Sequence, residues 1–295
     1  FSESESELTT TTGSISGTLI IPTAVTTPPL VVIIAGSGPT DRNCNSTLGV
    51  STNAYKMIAE ELAVRGIASL RYDKRGIGKS AQAMGQESDL RFETYAHDAA
   101  AWIMKLRAEK RFSRIIILGH SEGSLLGMLA ARKAEADAFI SVSGVGRSAD
   151  KILLEQLSKL PPALLEEARS ITLSLKSGKT VSVTNANLAP IFRPSVQPYI
   201  ISWMKYDPAL EITKLSVPVL ILQGTNDLQV GVEDAKLLSA ASPKAVLRVI
   251  EGMNHVLKDS PADAAGNIAT YRDPSLPLKK GLVDEIVQFI LKPVK

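Results

Sequence analysis

Cysteine is nearly missing from this chain, with Cys44 the only one in 295 residues. A lone thiol closes no intramolecular disulfide, and without Cys or His at ligand spacing it makes a poor metal site, so a buried or loop thiol is expected. Histidine is scarce too, at three residues, which leaves few candidates for proton transfer. No stretch supplies the roughly 18 uninterrupted apolar residues of a bilayer-spanning helix. An integral membrane protein is therefore not expected. Charge of one sign is never concentrated: 33 basic and 30 acidic residues, net +3, are scattered along the chain. Without a basic run to neutralise phosphates, nucleic acid is not an expected partner.

What remains is an ordinary globular composition, 44% hydrophobic and 21% charged. The length allows one large domain or two, and the pattern favours one domain with an insertion. The numbering opens on Phe1 rather than methionine, and Ser2 to Thr12 is a polar Ser/Thr/Glu run before the first strand pattern. Such a start suits a mature exported, periplasmic chain or a trimmed cytoplasmic one.

Ser14 to Pro22 alternates well enough for an edge strand. Leu30 to Ala35, Ile67 to Tyr72, Ile115 to Leu118, Ala138 to Val142, Val217 to Leu222 and Val246 to Ile250 are short and apolar. Little alternation within them predicts strands covered on both faces. Tyr55, Ile58, Ala59 and Leu62 recur at helical spacing, as do Phe92, Tyr95, Ala99, Trp102, Ile103 and Leu106. A closing helix presents Leu282, Ile286, Phe289 and Ile290 on one face and should stop near Pro293. Strands alternating with helices imply parallel right-handed crossovers: an α/β class, an open sheet with helices on both faces.

The alternation fails from Arg147 to Leu215. Two short helices, around Leu153 to Leu160 and Leu164 to Ile171, are expected on either side of Pro161-Pro162. Leu188 to Tyr206 then mixes prolines with Phe192, Tyr199, Trp203 and Met204, which predicts a lid or cap rather than a further crossover. Residues 1–146 and 216–295 would form the core, and 147–215 the insertion.

The strongest local signal is Gly119-His120-Ser121-Glu122-Gly123, set between a strand and a helical stretch. A serine on so tight a turn needs small neighbours, and the helix N-terminus favours developing negative charge. Its hydroxyl needs a base of suitable pKa. His120 is the elbow residue itself and His97 lies within a helix, which leaves His255 in the loop after the last strand. A carboxylate should orient that base. Asp227, directly after Val217 to Leu222, is the first candidate, ahead of Asp234, Asp259 and Asp263. The order Ser, Asp, His is the one expected when a serine elbow follows a strand of an α/β sheet. Two amides should receive the oxyanion: that of Glu122, and that of Ser37 in Ala35-Gly36-Ser37-Gly38, with Gly38 next. No Walker-type lysine follows the latter turn, so a phosphate cradle is the poorer reading.

These stretches, with Gly38 to Arg42, Arg71 to Ser80 and Leu222 to Gln229, resemble the α/β-hydrolase superfamily, specifically its bacterial esterase and serine-aminopeptidase-like branch. The resemblance runs from about Ser14 to the C-terminus. It implies an eight-stranded, mostly parallel sheet, a triad on Ser121, Asp227 and His255, a helical lid from the 147–215 insertion, and no cofactor or metal. Ala35 stands where that branch often has histidine. Asp41, Arg42, Asp73 and Arg75 could bind a substrate carboxylate, but ion pairs that brace the loops are the favoured reading.

The expected activity is hydrolysis of small to medium carboxylic esters through an acyl-enzyme. Phe192, Tyr199, Trp203 and Met204 would supply an apolar acyl or alcohol pocket or equally be ordinary lid core, and Gly38 would allow a close backbone approach. The partner is then a small-molecule ester, and a homo-oligomer is compatible with the sequence. Two alternatives remain. One is an aminopeptidase-like enzyme on the same triad, with a lid glutamate such as Glu155, Glu166 or Glu167 holding a free amine; Glu122, at a helix start, either complements the dipole or faces a substrate amine. The other is a non-catalytic binding module on the same scaffold.

Overall fold

A computed structural model describes residues 1–292. The apolar runs become β3 (Leu30–Ile34), β6 (Ala68–Tyr72), β7 (Ile115–His120), β8 (Ala138–Val142) and β9 (Val219–Gly224), every residue of which is buried. Between β3 and β6 lie a short hairpin, β4 (Asn45–Ser46) and β5 (Val50–Ser51), and helix α1 (Ala54–Val64). Helices α2 (Phe92–Ala108) and α3 (Glu122–Ala134) flank β7, while α9 (Val232–Ala241) leads from β9 to β10 (Val246–Ile250). Two helices close the described chain, α10 (Ala264–Ala269) and α11 (Leu282–Leu291). The expected stop near Pro293 falls outside the described residues.

The sheet has eight strands, and it is extended at one edge by β1 (Ser2–Thr10) and β2 (Gly13–Ile21), in the order β1-β2-β6-β3-β7-β8-β9-β10. The pairs β1/β2 and β2/β6 are antiparallel, and the others are parallel. Successive residues of one strand therefore feed two different cores. Val32 and Ile117 pack with α2 and α3 on one face, whereas Ile33 and Leu118 pack with α1 and α11 on the other. Among the described residues no helix is long and apolar enough to cross a membrane.

Strand β1 corrects the reading of Ser2 to Thr12 as a run lying before the first strand. Its alternation is of serine against glutamate, so it carries no apolar period, and most of its residues are exposed. Charge holds it instead. Glu3 pairs with the buried Arg71 at 3.2 Å, and Glu5 reaches Arg42 at 3.0 Å and Lys79 at 3.1 Å.

Between β8 and β9 the chain forms α4 (Ala149–Gln156), α5 (Pro162–Lys176), α6 (Ala189–Phe192), α7 (Gln197–Trp203) and α8 (Pro208–Ile212). Proline opens α5 at its first position, where the missing N–H leaves no helical bond unmade. The segment is tied to the rest at several points. Asp234 of α9, fully buried, binds Arg147 at 2.7 Å and the Gly146 amide at 2.9 Å. Ser202 accepts the Phe92 amide at 2.8 Å, and Arg193 and Ser195 both bond Glu87. The one cysteine, Cys44, is buried, and that burial pushes its thiol up to about 11.

Candidate active site

Ser121 sits between the end of β7 and the first turn of α3, at φ 55 and ψ −122. Few non-glycine residues adopt that backbone, and here the packing of strand on helix imposes it. A Cβ on Gly119 would meet the Gly123 carbonyl oxygen at 2.2 Å, and one on Gly123 would meet the Ile34 oxygen at 2.3 Å. Both glycines are thus steric requirements of the elbow. The turn is anchored by the Ser121 amide donating to Val142 at 2.9 Å.

The loop after β9 carries Asp227, whose side chain is wholly enclosed. Its oxygens lie 3.0 and 2.8 Å from His255 Nδ1. The amides of Gln229 and Val230 donate to Oδ1 at 2.8 and 2.9 Å, and Gln223 Nε2 reaches Oδ2 at 3.2 Å. Burial pushes this carboxyl up, but His255 and the two amides outweigh it and hold it below its ordinary value. An ionised acid bound to Nδ1–H places the other tautomer site, Nε2, free for a proton. Among the described residues neither Ser121 Oγ nor His255 Nε2 makes a hydrogen bond.

The His255 loop is stitched to the Asp227 loop. Asn226 donates its backbone amide to Met253 at 3.0 Å and its side-chain amide to Ser260 at 2.7 Å. Asn254, fully buried, donates to Thr270 at 2.6 Å and accepts the Lys258 amide at 3.0 Å.

His120 and Tyr55 tie His255 to the Gly36 loop, and sequence reasoning gave them no role. His120 Nε2 lies 2.9 Å from the His255 carbonyl, which can only accept, so Nε2 carries the proton. Nδ1 then accepts from Tyr55 Oη at 2.7 Å, and that hydroxyl accepts the Gly36 amide at 3.2 Å. The two imidazole rings lie 4.8 Å apart. Burial, and next the neighbouring His255, push His120 down to about 3, so it stays neutral.

Gly36 brings the small-residue loop against Ser121: a Cβ there would meet Ser121 Cβ at 3.2 Å. Ser37 and Gly38 are exposed, the latter at φ 69. The Glu122 side chain faces inward, where Lys74 Nζ lies 3.3 Å from one oxygen and Tyr199 Oη donates to the other at 2.7 Å. Burial, and then the Glu122 carboxylate, push the Tyr199 phenol well above its ordinary value, so it remains a donor.

The four aromatic and sulfur residues named from sequence are buried in the core shared with α2. Trp203 stacks on Phe92 at 5.9 Å, Tyr199 tilts on the same ring at 5.9 Å, and Phe192 and Met204 join the cluster. Tyr199 extends from that cluster to the elbow. Asp234, Asp259 and Asp263 are all engaged elsewhere, with Arg147, with Lys279 and as the cap of α10. The charged loop residues pair with one another. Arg42 binds Asp73 at 2.8 Å, Arg75 binds Asp98 at 2.5 Å, and Asp41 accepts the amides of Asn43 and Asn45. His97 is exposed on α2.

An eight-stranded sheet with a serine elbow at the end of its central strand defines an α/β hydrolase. The chain belongs to the serine aminopeptidase S33 family, whose model matches residues 47–259. It is 26% identical to Esterase EstD of Thermotoga maritima, over 98% of this chain and 68% of that protein. Est1E of Butyrivibrio proteoclasticus, solved with ferulic acid bound, superposes with a TM-score of 0.61 at 20% identity, covering 95% of this chain and 96% of that one. A serine hydrolase of Xanthomonas campestris described as lacking a lid superposes at 0.56 with 15% identity, over 99% and 97%. These likenesses make the chain a hydrolase with esterase relatives.

Proposed function

We propose that this protein is a serine carboxylesterase acting on small to medium acyl esters. Asp227 holding His255 by Nδ1, together with Ser121 on the strained turn between β7 and α3, carries the reading. Apo serine hydrolases often have loose nucleophile-to-base contacts that tighten when substrate binds. In the first step His255 takes the Ser121 proton as Oγ attacks the ester carbonyl. The tetrahedral oxyanion is received by the amides of Ser37 and Glu122, and collapse expels the alcohol, which takes the proton from His255. Water then attacks the acyl-enzyme, gives its proton to His255, and the acid leaves with Ser121 restored.

The ester reading is favoured over a peptidase by where the glutamates are spent. Glu122 is held by Lys74 and Tyr199, Glu155 by Arg147, and Glu167 by Asn185, while the exposed Glu166 sits beside Arg169. The amine of an aminopeptidase substrate would have to displace one of these partners. The esterase name of the Thermotoga maritima relative supports the same choice. We read residues 147–215 as the lid on a core of 1–146 and 216–295, with the Phe192, Tyr199, Trp203 and Met204 cluster setting its position and Gly38 bordering the acyl site.

Rates on nitrophenyl acyl esters against aminoacyl nitroanilides test the proposal, alongside labelling by a fluorophosphonate. Esters should be preferred, and labelling should vanish in Ser121→Ala. A clear preference for the anilides would make the chain a peptidase, and labelling that survives Ser121→Ala would remove the nucleophile.

A further inference from the structure

The reaction proposed above, on which this inference rests, needs the Ser37 N–H held toward the growing oxyanion. The loop Ala35-Gly36-Ser37-Gly38 has no bulky side chain with which to fix itself. Three side chains from outside hold it, Thr40 by donating to the Ser37 carbonyl at 3.0 Å. Tyr55 accepts the Gly36 amide at 3.2 Å, and Lys74 Nζ donates to the Gly36 carbonyl at 2.5 Å.

The Gly36 carbonyl and the Ser37 N–H belong to one planar trans peptide and point in opposite directions. A donor that fixes the oxygen on one side therefore fixes the N–H on the other. An ammonium does more than fix it. By drawing electron density toward the oxygen it makes the N–H across the same amide a stronger donor, as linked hydrogen bonds polarise one another in a medium of low dielectric. Lys74 is 2% exposed, so water screens little of its charge. Its Nζ is held in place by Glu122 Oε2 at 3.3 Å and lies 5.0 Å from the centre of the Tyr95 ring. The cation thus stands behind the peptide that lies against Ser121, and its counter-ion is the residue that follows Ser121 in the chain.

From this geometry we infer that Lys74 is a positioning residue of the oxyanion site: its ammonium clamps and polarises the Gly36–Ser37 peptide so that the Ser37 amide meets the oxyanion. A purely structural ion pair with Glu122 is the competing account. The two differ in what happens once Glu122 no longer needs a cation.

Lys74→Met by itself strands a buried carboxylate and invites unfolding. The informative comparison is Lys74→Met/Glu122→Gln against Glu122→Gln, both neutral at the second position. We expect kcat for an ester to fall about 100-fold from the single to the double variant, the size of one lost oxyanion donor, with KM changed less than about threefold. Affinity for a trifluoromethyl ketone, which forms the tetrahedral adduct, should fall by a similar factor. Lys74→Gln/Glu122→Gln, which keeps the position polar, carries the same expectation and serves if the methionine version does not fold. A double variant with kcat within threefold of Glu122→Gln overturns the inference, as does a loss confined to KM. If the parent protein takes no fluorophosphonate on Ser121, the proposed reaction itself falls. A labelled parent with an undiminished double variant removes Lys74 alone.

Discussion

On the Asp227 and His255 side of the site, the loops after β9 and β10 are joined, besides the Asp227–His255 contact itself, by neutral groups: Gln223, Asn226, Asn254, Asn267 and Thr270 exchange hydrogen bonds with one another and with backbone. On the Gly36 side, the loop after β3 and the elbow are joined by buried charge, with Lys74 between the Gly36 carbonyl and Glu122. His120 is the bridge between the two, through Tyr55 to Gly36 and directly to the His255 carbonyl. The difference follows from the tasks. The proposed base must cycle between neutral and charged forms, and beyond the Asp227 carboxylate that holds it these amides brace the loops without adding further charge. In the proposed reaction the oxyanion forms only in passing, and a cation behind the receiving peptide would lower its energy at the moment it appears.

Removing the charge of Asp227 should break the Asp227 and His255 side most severely. Asp227→Asn should lower kcat/KM by about 10⁴-fold, through the wrong His255 tautomer, while the fold survives; steady-state ester kinetics with a circular dichroism control measure this, and a loss below tenfold would exclude Asp227 as the orienting acid. Next comes the neutral network itself. Asn254→Leu leaves the Lys258 amide and the Thr270 hydroxyl without their present partner in a buried site and should destabilise the protein by about 2 to 4 kcal/mol in urea unfolding. A change under about 0.5 kcal/mol would mean that the loop is held by its backbone alone.

The bridging histidine sharpens the comparison through pH. His120 is held down to about 3 in the folded protein, against an ordinary value of about 6.5 in the unfolded chain. Between those values the unfolded state binds the extra proton, so stability should fall as pH drops from about 6.5 toward 3, by at most about 1.4 kcal/mol per pH unit from this group. His120→Gln should flatten that part of the profile in pH-dependent urea melts, and an unchanged slope would assign it to other groups. The smallest effect belongs to charge left in water. Glu285→Gln breaks the exposed pair with Arg248, at 3.1 Å, and should shift stability by less than about 1 kcal/mol. A larger loss would erase the contrast between solvated and enclosed ion pairs.

Much of the architecture was legible because parallel strands are covered on both faces and so read as unbroken apolar runs, and because helix stripes such as Tyr55 to Leu62 have their own period. Strand β1 escaped because its partners are arginines and a lysine far along the chain, a relation that no local periodicity records. Ser121, Asp227 and His255 stood out because each follows a recognisable strand, and the structure brings Asp227 and His255 into direct contact. Lys74 and His120 lay inside stretches noted for other reasons, Arg71 to Ser80 and the elbow, but their roles depend on the depth of burial and on the backbone atoms they face. A lysine two residues beyond the apolar run Ile67 to Tyr72 was the available signal, and only three-dimensional packing reveals that it is buried and what its ammonium touches.

The enclosed Cys44, with its thiol pushed up to about 11, offers almost no thiolate to alkylating reagents at neutral pH. The native chain is thus spectroscopically silent toward maleimides. A reporter introduced at exposed Leu173→Cys on α5 would take a fluorophore or spin label at that site alone, so movement of the 147–215 segment during turnover could be followed without first stripping out a background cysteine.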